Sequence, residues 1–355
     1  MGFMFLVINP GSTSTKVALY EDTKEVATES LSHSAAELEK FHGIMDQLEY
    51  RTEAVKRFLQ AHNMVPARLS AIVGRGGLLR PIPGGTYQVN EKMLDDLKAG
   101  TYGLHASNLG AVIAAAIAKE ANLPALVVDP VVVDELAPIA RITGRPEAPK
   151  RSIFHALNQK AVAKRYAASI QRSYEDLNLI VAHLGGGISV GCHQHGQVVE
   201  VNNALDGDGP FSPERAGTVQ VAAFVEYVVS NGLTKDKVAK LLAGRGGLVA
   251  HLGTQDAREI EKRIQAGDRH AALVYDAMIY QIARGIGAAA VPVRGKVDAI
   301  LLTGGIAYSR YVTDQITSYV EFIAPVVVIP GENEMQALAE GAYRVMSNQE
   351  ESRMY

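Results

Sequence analysis

The sequence predicts an α/β protein made of two related lobes, and three observations carry that prediction. An apolar run at 3–8 ends in the small-residue turn Asn9-Pro10-Gly11-Ser12-Thr13-Ser14-Thr15-Lys16, and a second apolar run opens at Val17. The same kind of unit recurs at 178–201, where a strand ending in His183-Leu184 turns through Gly185-Gly186-Gly187 into Ile188-Ser189-Val190. Comparable elements follow each copy, so the order β-β-β-α-β-α-β is written twice.

In the first copy, a third strand-like run at 25–31 completes a meander. The turn 9–16 is rich in hydrogen-bond donors and holds one cation, Lys16; it suits the cradling of a polyphosphate in a β-hairpin, or it is an ordinary Gly-Ser turn. It is not a Walker A loop, which needs G-x-x-x-x-G-K-[ST] followed by a helix. Residues 36–63 repeat apolar positions at helical spacing with charges between them, and His33, His42 and His62 read as surface residues of that region. A strand at 69–74 delivers Arg75 among the glycines Gly74, Gly76 and Gly77. An arginine fork there can grip a carboxylate or phosphoryl group, or it is paired at a surface turn. His105 precedes an Ala-rich helix at 107–120 for which Ser107 is the expected N-cap. The all-apolar strand 125–129 ends in Asp129, a common way to present a metal-side carboxylate.

The polar stretch 140–151, with two prolines and a glycine, is the expected boundary between a lobe at 1–150 and a lobe at 151–335. Phe154-His155 then opens an amphipathic helix. After the second hairpin, a long loop of carboxylates, glycines and prolines brings Arg215 to a helix start, and its Asp-Gly-Asp-Gly run lacks the spacing of a calcium loop. Helical stretches are expected between 219 and 243 and over 268–290. A buried strand at 297–303 runs into Thr303-Gly304-Gly305, where glycines let a flat group lie on the backbone. A strand at 325–329, the glutamates Glu332 and Glu334, and a helix at 336–346 follow, with a frayed tail from Ser347.

The bulk numbers exclude several classes. A length of 355 residues suits two domains, and a formal net charge of −3 gives no basic footprint for nucleic acid. No apolar run reaches the length of a membrane span and no leader is evident, so a cytoplasmic protein is expected. The single cysteine, Cys192, forms no internal disulfide and reads as a small buried strand residue.

With these pieces assembled, the chain resembles the acetate and butyrate kinase family of the sugar kinase, Hsp70 and actin fold. The resemblance rests on Asn9–Lys16, Gly74-Arg75-Gly76-Gly77, Phe154-His155, His183-Leu184-Gly185-Gly186-Gly187, Glu214-Arg215-Ala216-Gly217, Thr303-Gly304-Gly305 and Asn333-Glu334, in that order along nearly the whole chain. It implies two duplicated ribonuclease H-like (βββαβαβα) lobes around a nucleotide cleft. The first lobe would serve acyl substrate and phosphate, with a C-terminal helix at about 336–355 packing back on it, and the second would bind the nucleotide.

The implied activity is reversible transfer of the ATP γ-phosphoryl group to butyrate or a related short-chain acid, with Mg2+ accompanying ATP or ADP and a homo-oligomer, at least a dimer, as the assembly. The resemblance assigns Arg75, His155, Arg215 and Asp129 to catalysis. It places Asn9, Ser12, Ser14, Lys16, His183, Gly185, Gly186, Gly187, Thr303, Gly304 and Gly305 at the nucleotide and its phosphates. Gly76, Gly77, His105 and Phe154 fall at the acyl substrate, and Glu334 and Asp129 at the metal, with Glu332 the near alternative to Glu334. Acetate kinases carry bulkier residues after the first arginine, so Gly76 and Gly77 are expected to leave room for a longer acyl tail beside Phe154, each buried methylene contributing about 0.8 kcal/mol.

Overall fold

The structure is a computed structural model that describes residues 2–355. It divides into two compact units, residues 1–133 with 333–355, and residues 134–332. The Pro/Gly-bearing stretch 140–151 therefore lies inside the second unit.

The first unit opens with the meander β1 (Met4–Pro10), β2 (Ser14–Glu21) and β3 (Lys24–Ser32). Phe5 to Ile8 are fully buried, as expected of a central strand covered on both faces, whereas the edge strand β3 is mostly exposed and carries Lys24, Glu25 and Glu29. β4 (Ala71–Gly74), β5 (Thr86–Gln88) and β6 (Ala125–Val128) follow. The helices Leu48–Ala61 and Asn108–Ala121 cover one face, burying Val55, Phe58, Leu109, Ile113 and Ile117 against Leu6, Ile8 and Ile72.

The second unit repeats the plan with β7 (Asn178–Leu184), β8 (Ile188–Gln194), β9 (Gln197–Val201), β10 (Ala299–Thr303) and β11 (Val326–Val328). Its sheet order is β11-β10-β7-β8-β9, with β7, β8 and β9 antiparallel and β7, β10 and β11 parallel. The run β6-β4-β1-β2-β3 of the first sheet has the same order and the same senses. The duplication read from the sequence is thus a duplication of topology. The helices Arg269–Ala289 and Arg310–Val320 bury Tyr275, Met278, Ile282 and Ile316 on one face of the second sheet, and the helix Ala156–Ser169 packs Val162 and Ala163 on the other.

Several expectations change. The first sheet has seven strands because β5 and a last strand, β12 (Arg353–Met354), extend one edge. The tail from Ser347 is not frayed: β12 pairs in parallel with β5, and Tyr355 is buried with its hydroxyl donating to Asp96 at 3.0 Å. Ser107 stands at the start of Asn108–Ala121 but its side chain makes no capping bond, being taken by His105 Nδ1 at 2.9 Å. His33 is buried rather than superficial, with Nε2 2.9 Å from Thr15 Oγ1. Cys192 is fully buried in β8, and burial pushes its thiol up to about 12.

Candidate active site

In the first unit the β1–β2 hairpin pairs Asn9 with Lys16 and Pro10 with Thr15, so the turn between them is short and rigid. Behind it lies Arg51, fully buried on the helix Leu48–Ala61. Its guanidinium donates to the carbonyls of Gly11 (2.8 Å), Ser12 (2.9 Å) and Ser14 (3.1 Å), to Thr15 Oγ1 (3.1 Å), and twice to Gln47 Oε1. Every peptide here is trans. Because a trans peptide directs its N–H opposite to its C=O, turning the Gly11 and Ser12 carbonyls onto Arg51 turns the Ser12 and Thr13 amides away from it. Outward amides on a tight turn form an anion-binding concavity. Lys16 is exposed beside them, and Ser12 and Ser14 lie in the same turn.

Arg51 was not legible as a site residue, although one signal points to it. It occupies the apolar face defined by Leu48, Thr52, Val55 and Phe58, where a cation is out of place. Burial lowers its pKa, and its positive charge in turn helps burial lower that of His33.

Arg75 leaves β4 with its amide bonded to Ile8 O at 2.8 Å, which fixes it beside β1. Its guanidinium forms an ion pair with Glu334 Oε1, and Asn9 Nδ2 donates to Oε2 of the same carboxylate at 2.8 Å. Asn9, Arg75 and Glu334 are therefore one cluster. His105 is exposed; its Nδ1 accepts from the Ser107 amide at 3.2 Å, and desolvation, then the charge of Arg75, lowers its pKa. Asp129 is buried at the end of β6 with φ 36°, and its Oδ1 accepts from the Gly85 amide at 2.6 Å. A left-handed aspartate is strained, and strain of this kind concentrates at functional positions.

Gly76 and Gly77 do not leave room for an acyl tail. A Cβ on Gly76 would stand 2.5 Å from Pro130 Cβ and 2.7 Å from Val127 Cγ1, and one on Gly77 would stand 2.4 Å from Asn108 Oδ1. Both positions are filled by the protein's own packing, so the glycines allow the 75–78 turn to lie against the strand β6 and the start of the helix Asn108–Ala121.

In the second unit the β7–β8 hairpin turns through Gly185-Gly186-Gly187. The side chain of Arg215 lies flat on this turn: a Cβ on Gly187 would fall 2.0 Å from its Nη1. Nη1 donates to Ala204 O at 2.5 Å, and burial lowers the guanidinium pKa against the raising influence of Glu214. Gly186 O accepts from Ser212 Oγ at 2.6 Å, tying the loop before Arg215 to the glycine turn.

His155 begins the helix Ala156–Ser169 and stacks on His183, with centroids 3.8 Å apart and planes 11° from parallel. His183 Nε2 lies 3.5 Å from Glu332 Oε1. The two glutamates left open by the sequence thus part company: Glu332 belongs with His183, and Glu334 with Arg75 and Asn9. Phe154 is buried.

A cavity of about 820 Å3 opens in this unit, lined among others by Gly185, Gly186, Glu214, Gly305, Tyr308 and Glu332. Gly304, at φ 91°, presses on the backbone of Leu184 and bridges to Gly331, while Gly305 faces open space. Thr303 is buried and donates to Gly331 O at 3.1 Å. Sequence reading did not find Asp256, Arg258 and Glu261 in this lining, although Ile260 and Ile264, one turn apart on the helix Ala257–Gln265, are an amphipathic signal that marks the element presenting them.

Among the described residues no group of three or more His, Cys, Asp or Glu side chains is arranged to hold a metal ion. Single carboxylates such as Glu334 and Asp129 fit a cation carried in largely on phosphate oxygens and water, which needs only one or two protein ligands. No helix among the described residues is long and apolar enough to cross a membrane.

Known proteins resemble this chain in sequence and in fold. A model described as the acetokinase family matches residues 148–353. The chain is 54% identical to "Butyrate kinase 2" of Clostridium acetobutylicum and 52% identical to "Probable butyrate kinase" of Clostridium botulinum, each over the full length of both proteins. Among solved structures it is similar to the acetate kinase of Porphyromonas gingivalis, with a TM-score of 0.76 at 18% identity, covering 98% of this chain and 100% of that one. A propionate kinase from Francisella tularensis gives a TM-score of 0.73 at 19% identity, covering 96% of this chain and 98% of that one.

Proposed function

Because the chain belongs to the acetokinase family and is a carboxylate kinase, we propose that it transfers the γ-phosphoryl group of ATP reversibly to butyrate or a closely related short-chain fatty acid. The observation that carries an anionic acceptor is the arginine beside each hairpin, Arg75 next to β1 and Arg215 flat on the Gly187 turn. Butyrate among such acids is supported by the names of the two clostridial relatives, not by Gly76 and Gly77.

A carboxylic acid with a pKa of about 4 to 5 is already ionised at neutral pH, so the acceptor needs no general base. Its oxygen forms a bond to the γ-phosphorus as the bond to the bridging oxygen breaks, and that oxygen leaves on ADP with the electron pair. The obstacle is repulsion between the two anions. In this reading the amides of Ser12 and Thr13, with Asn9, Ser12, Ser14 and Lys16, bind phosphate in the first hairpin. Gly185, Gly186 and Gly187 with His183 do so in the second. Arg75, Arg215 and His155 neutralise charge on the transferring group, which is the main electrostatic task of phosphoryl transfer.

Thr303 and Gly304 hold the turn that presents Gly305 to the 820 Å3 cavity, where the adenosine lies in this reading, and His105 and Phe154 border the acyl substrate. Glu334 and Asp129 would hold the magnesium that accompanies the nucleotide, whose presence supplies charge neutralisation at the phosphate oxygens. The assignment of acyl substrate and phosphate to the first unit and of the nucleotide to the second is part of the same proposal. So are a cytoplasmic location and a homo-oligomer; exposure of Val221 (75%) and Val229 (73%) on the helix Val221–Ser230 supports the latter.

The decisive experiment traps acyl phosphate with hydroxylamine in the presence of ATP and magnesium, across acetate, propionate, butyrate, isobutyrate and valerate. A maximum at four or five carbons is expected. A maximum at acetate would keep the kinase and reject the acyl assignment.

A further inference from the structure

Beneath the stacked histidines runs a buried hydrogen-bond chain that phosphate and substrate binding leave unused. His155 Nδ1 lies 2.8 Å from Ser189 Oγ, Gln159 Nε2 lies 2.8 Å from the same oxygen, Gln159 Oε1 lies 2.9 Å from His193 Nε2, and His193 Nδ1 lies 2.7 Å from Tyr174 Oη. Ser189, Gln159 and His193 are each 0% exposed. In such a place every hydrogen must find an acceptor, because an orphaned donor costs about 1–3 kcal/mol.

The direction of each bond follows from one fixed point. Gln159 Nε2 also faces the Ser189 carbonyl at 3.0 Å, and a carbonyl only accepts. The amide is therefore oriented with its two hydrogens on Ser189 O and Ser189 Oγ, and its oxygen must accept from His193 Nε2. Burial keeps His193 neutral, so its Nδ1 accepts from the Tyr174 hydroxyl. At the other end Ser189 Oγ already receives a hydrogen from Gln159, with the His155 amide also within 3.5 Å. The acceptor within reach of its own hydrogen is His155 Nδ1.

We infer that Ser189 and Gln159 are positioning residues that lock His155 in the Nε2–H tautomer, so that this ring offers a hydrogen-bond donor from Nε2. Its stacking partner is fixed the other way. Asn158 Nδ2 donates to Glu332 O at 2.9 Å, so Asn158 Oδ1 accepts from His183 Nδ1 at 2.8 Å, and that nitrogen carries a proton. In two parallel rings 3.8 Å apart, the Nδ1 of His155 thus accepts and the Nδ1 of His183 donates, while His183 Nε2 faces the Glu332 carboxylate at 3.5 Å. Gly191 preserves the chain, since a Cβ there would stand 2.6 Å from Gln159 Oε1. The purpose of the lock rests on the proposal that His155 donates to the transferring phosphoryl group, whose developing negative charge requires an N–H and not a lone pair.

The test is nitrogen NMR of the full-length protein labelled with 15N-histidine, at about two pH units above the ordinary histidine value so that neutral rings dominate. Assignment uses the signals lost in His155→Gln and His183→Gln. Wild-type protein is expected to show a protonated Nε2 and bare Nδ1 for His155, and a protonated Nδ1 for His183. In Ser189→Ala the His155 pattern is expected to move toward Nδ1–H. Its kcat should fall about 10-fold to 100-fold, the range for losing the outer partner of a functional histidine, with KM for ATP and acid unchanged. A wild-type His155 protonated on Nδ1 overturns the inference and requires no variant to fold. A Ser189→Ala protein with unaltered nitrogen signals and turnover overturns it equally. Full turnover in His155→Gln would instead remove His155 from the phosphoryl group, a failure read separately from the nitrogen pattern.

Discussion

Replacing Arg51 by methionine tests whether the first hairpin is shaped from behind. The substitution keeps the length of an apolar stem and removes the bonds to the carbonyls of Gly11, Ser12 and Ser14. Hydrogen bonds to a charged donor contribute about 1.5–3 kcal/mol each, so three at the lower bound give about 4.5 kcal/mol. Part of this is offset because a desolvated cation is no longer held in the interior, the same desolvation that lowers the Arg51 pKa. A net loss of about 3 kcal/mol remains, a factor of about 150 in the local opening equilibrium. Amide exchange over residues 11–16 is expected to accelerate by about that factor, and KM for ATP to rise. Arg51→Lys should recover less than half of the loss, because an ammonium cannot span three carbonyls and Gln47 together. Unchanged exchange and KM in Arg51→Met would refute the idea that this guanidinium holds the turn.

Three further outcomes are expected. Arg215→Ala should retain its circular dichroism spectrum yet lose on the order of 10³-fold or more in kcat; near wild-type turnover would remove Arg215 from the mechanism. Gly76→Ala should destabilise the protein by about 1–3 kcal/mol through overpacking on Pro130 and Val127, without moving the butyrate-to-acetate ratio of kcat/KM. Thermal unfolding and a two-substrate kinetic comparison check both parts, and a shifted ratio at unchanged stability would restore the acyl-room idea. Folded His33 and His193 both have pKa values below the ordinary histidine value, chiefly through burial. The unfolded chain therefore binds more protons below about pH 6.5, and stability present above that value is lost as the pH falls through the folded values. Urea midpoints measured on either side of that window should drop on acidification; a midpoint that rises would contradict the sign.

The sequence exposed what is local. Apolar strands broken by small-residue turns announce hairpins, and writing the motif twice announced two sheets of one topology. Strands β5 and β12 stayed hidden because three and two residues carry no periodicity; β5 is a strand through its pairing with β6, and β12 only through pairing with β5 across more than 250 positions. The glycines after Arg75 marked a close approach correctly, but a glycine does not reveal what approaches it; Val127, Pro130 and Asn108 do so here, leaving no space for a ligand. His33 looked superficial because its neighbours are polar, and its burial depends on Thr15 from another strand. Arg51 was hidden by habit: on a helix read for its apolar stripe, the charged member of that stripe is passed over.

The interrupted first unit has a consequence during synthesis. The helix Glu334–Met346 packs on β1, β4 and β6, yet the ribosome must complete all of 134–332 before making it. At about 5–20 residues per second, those intervening residues take roughly 10–40 s. Through that interval the sheet that emerged first has one apolar face uncovered and lacks the strand that closes its edge, while the uninterrupted second unit holds all of its own elements. The order of manufacture and the order of completion are therefore reversed, and the nascent first unit is where a chaperone would find its binding surface.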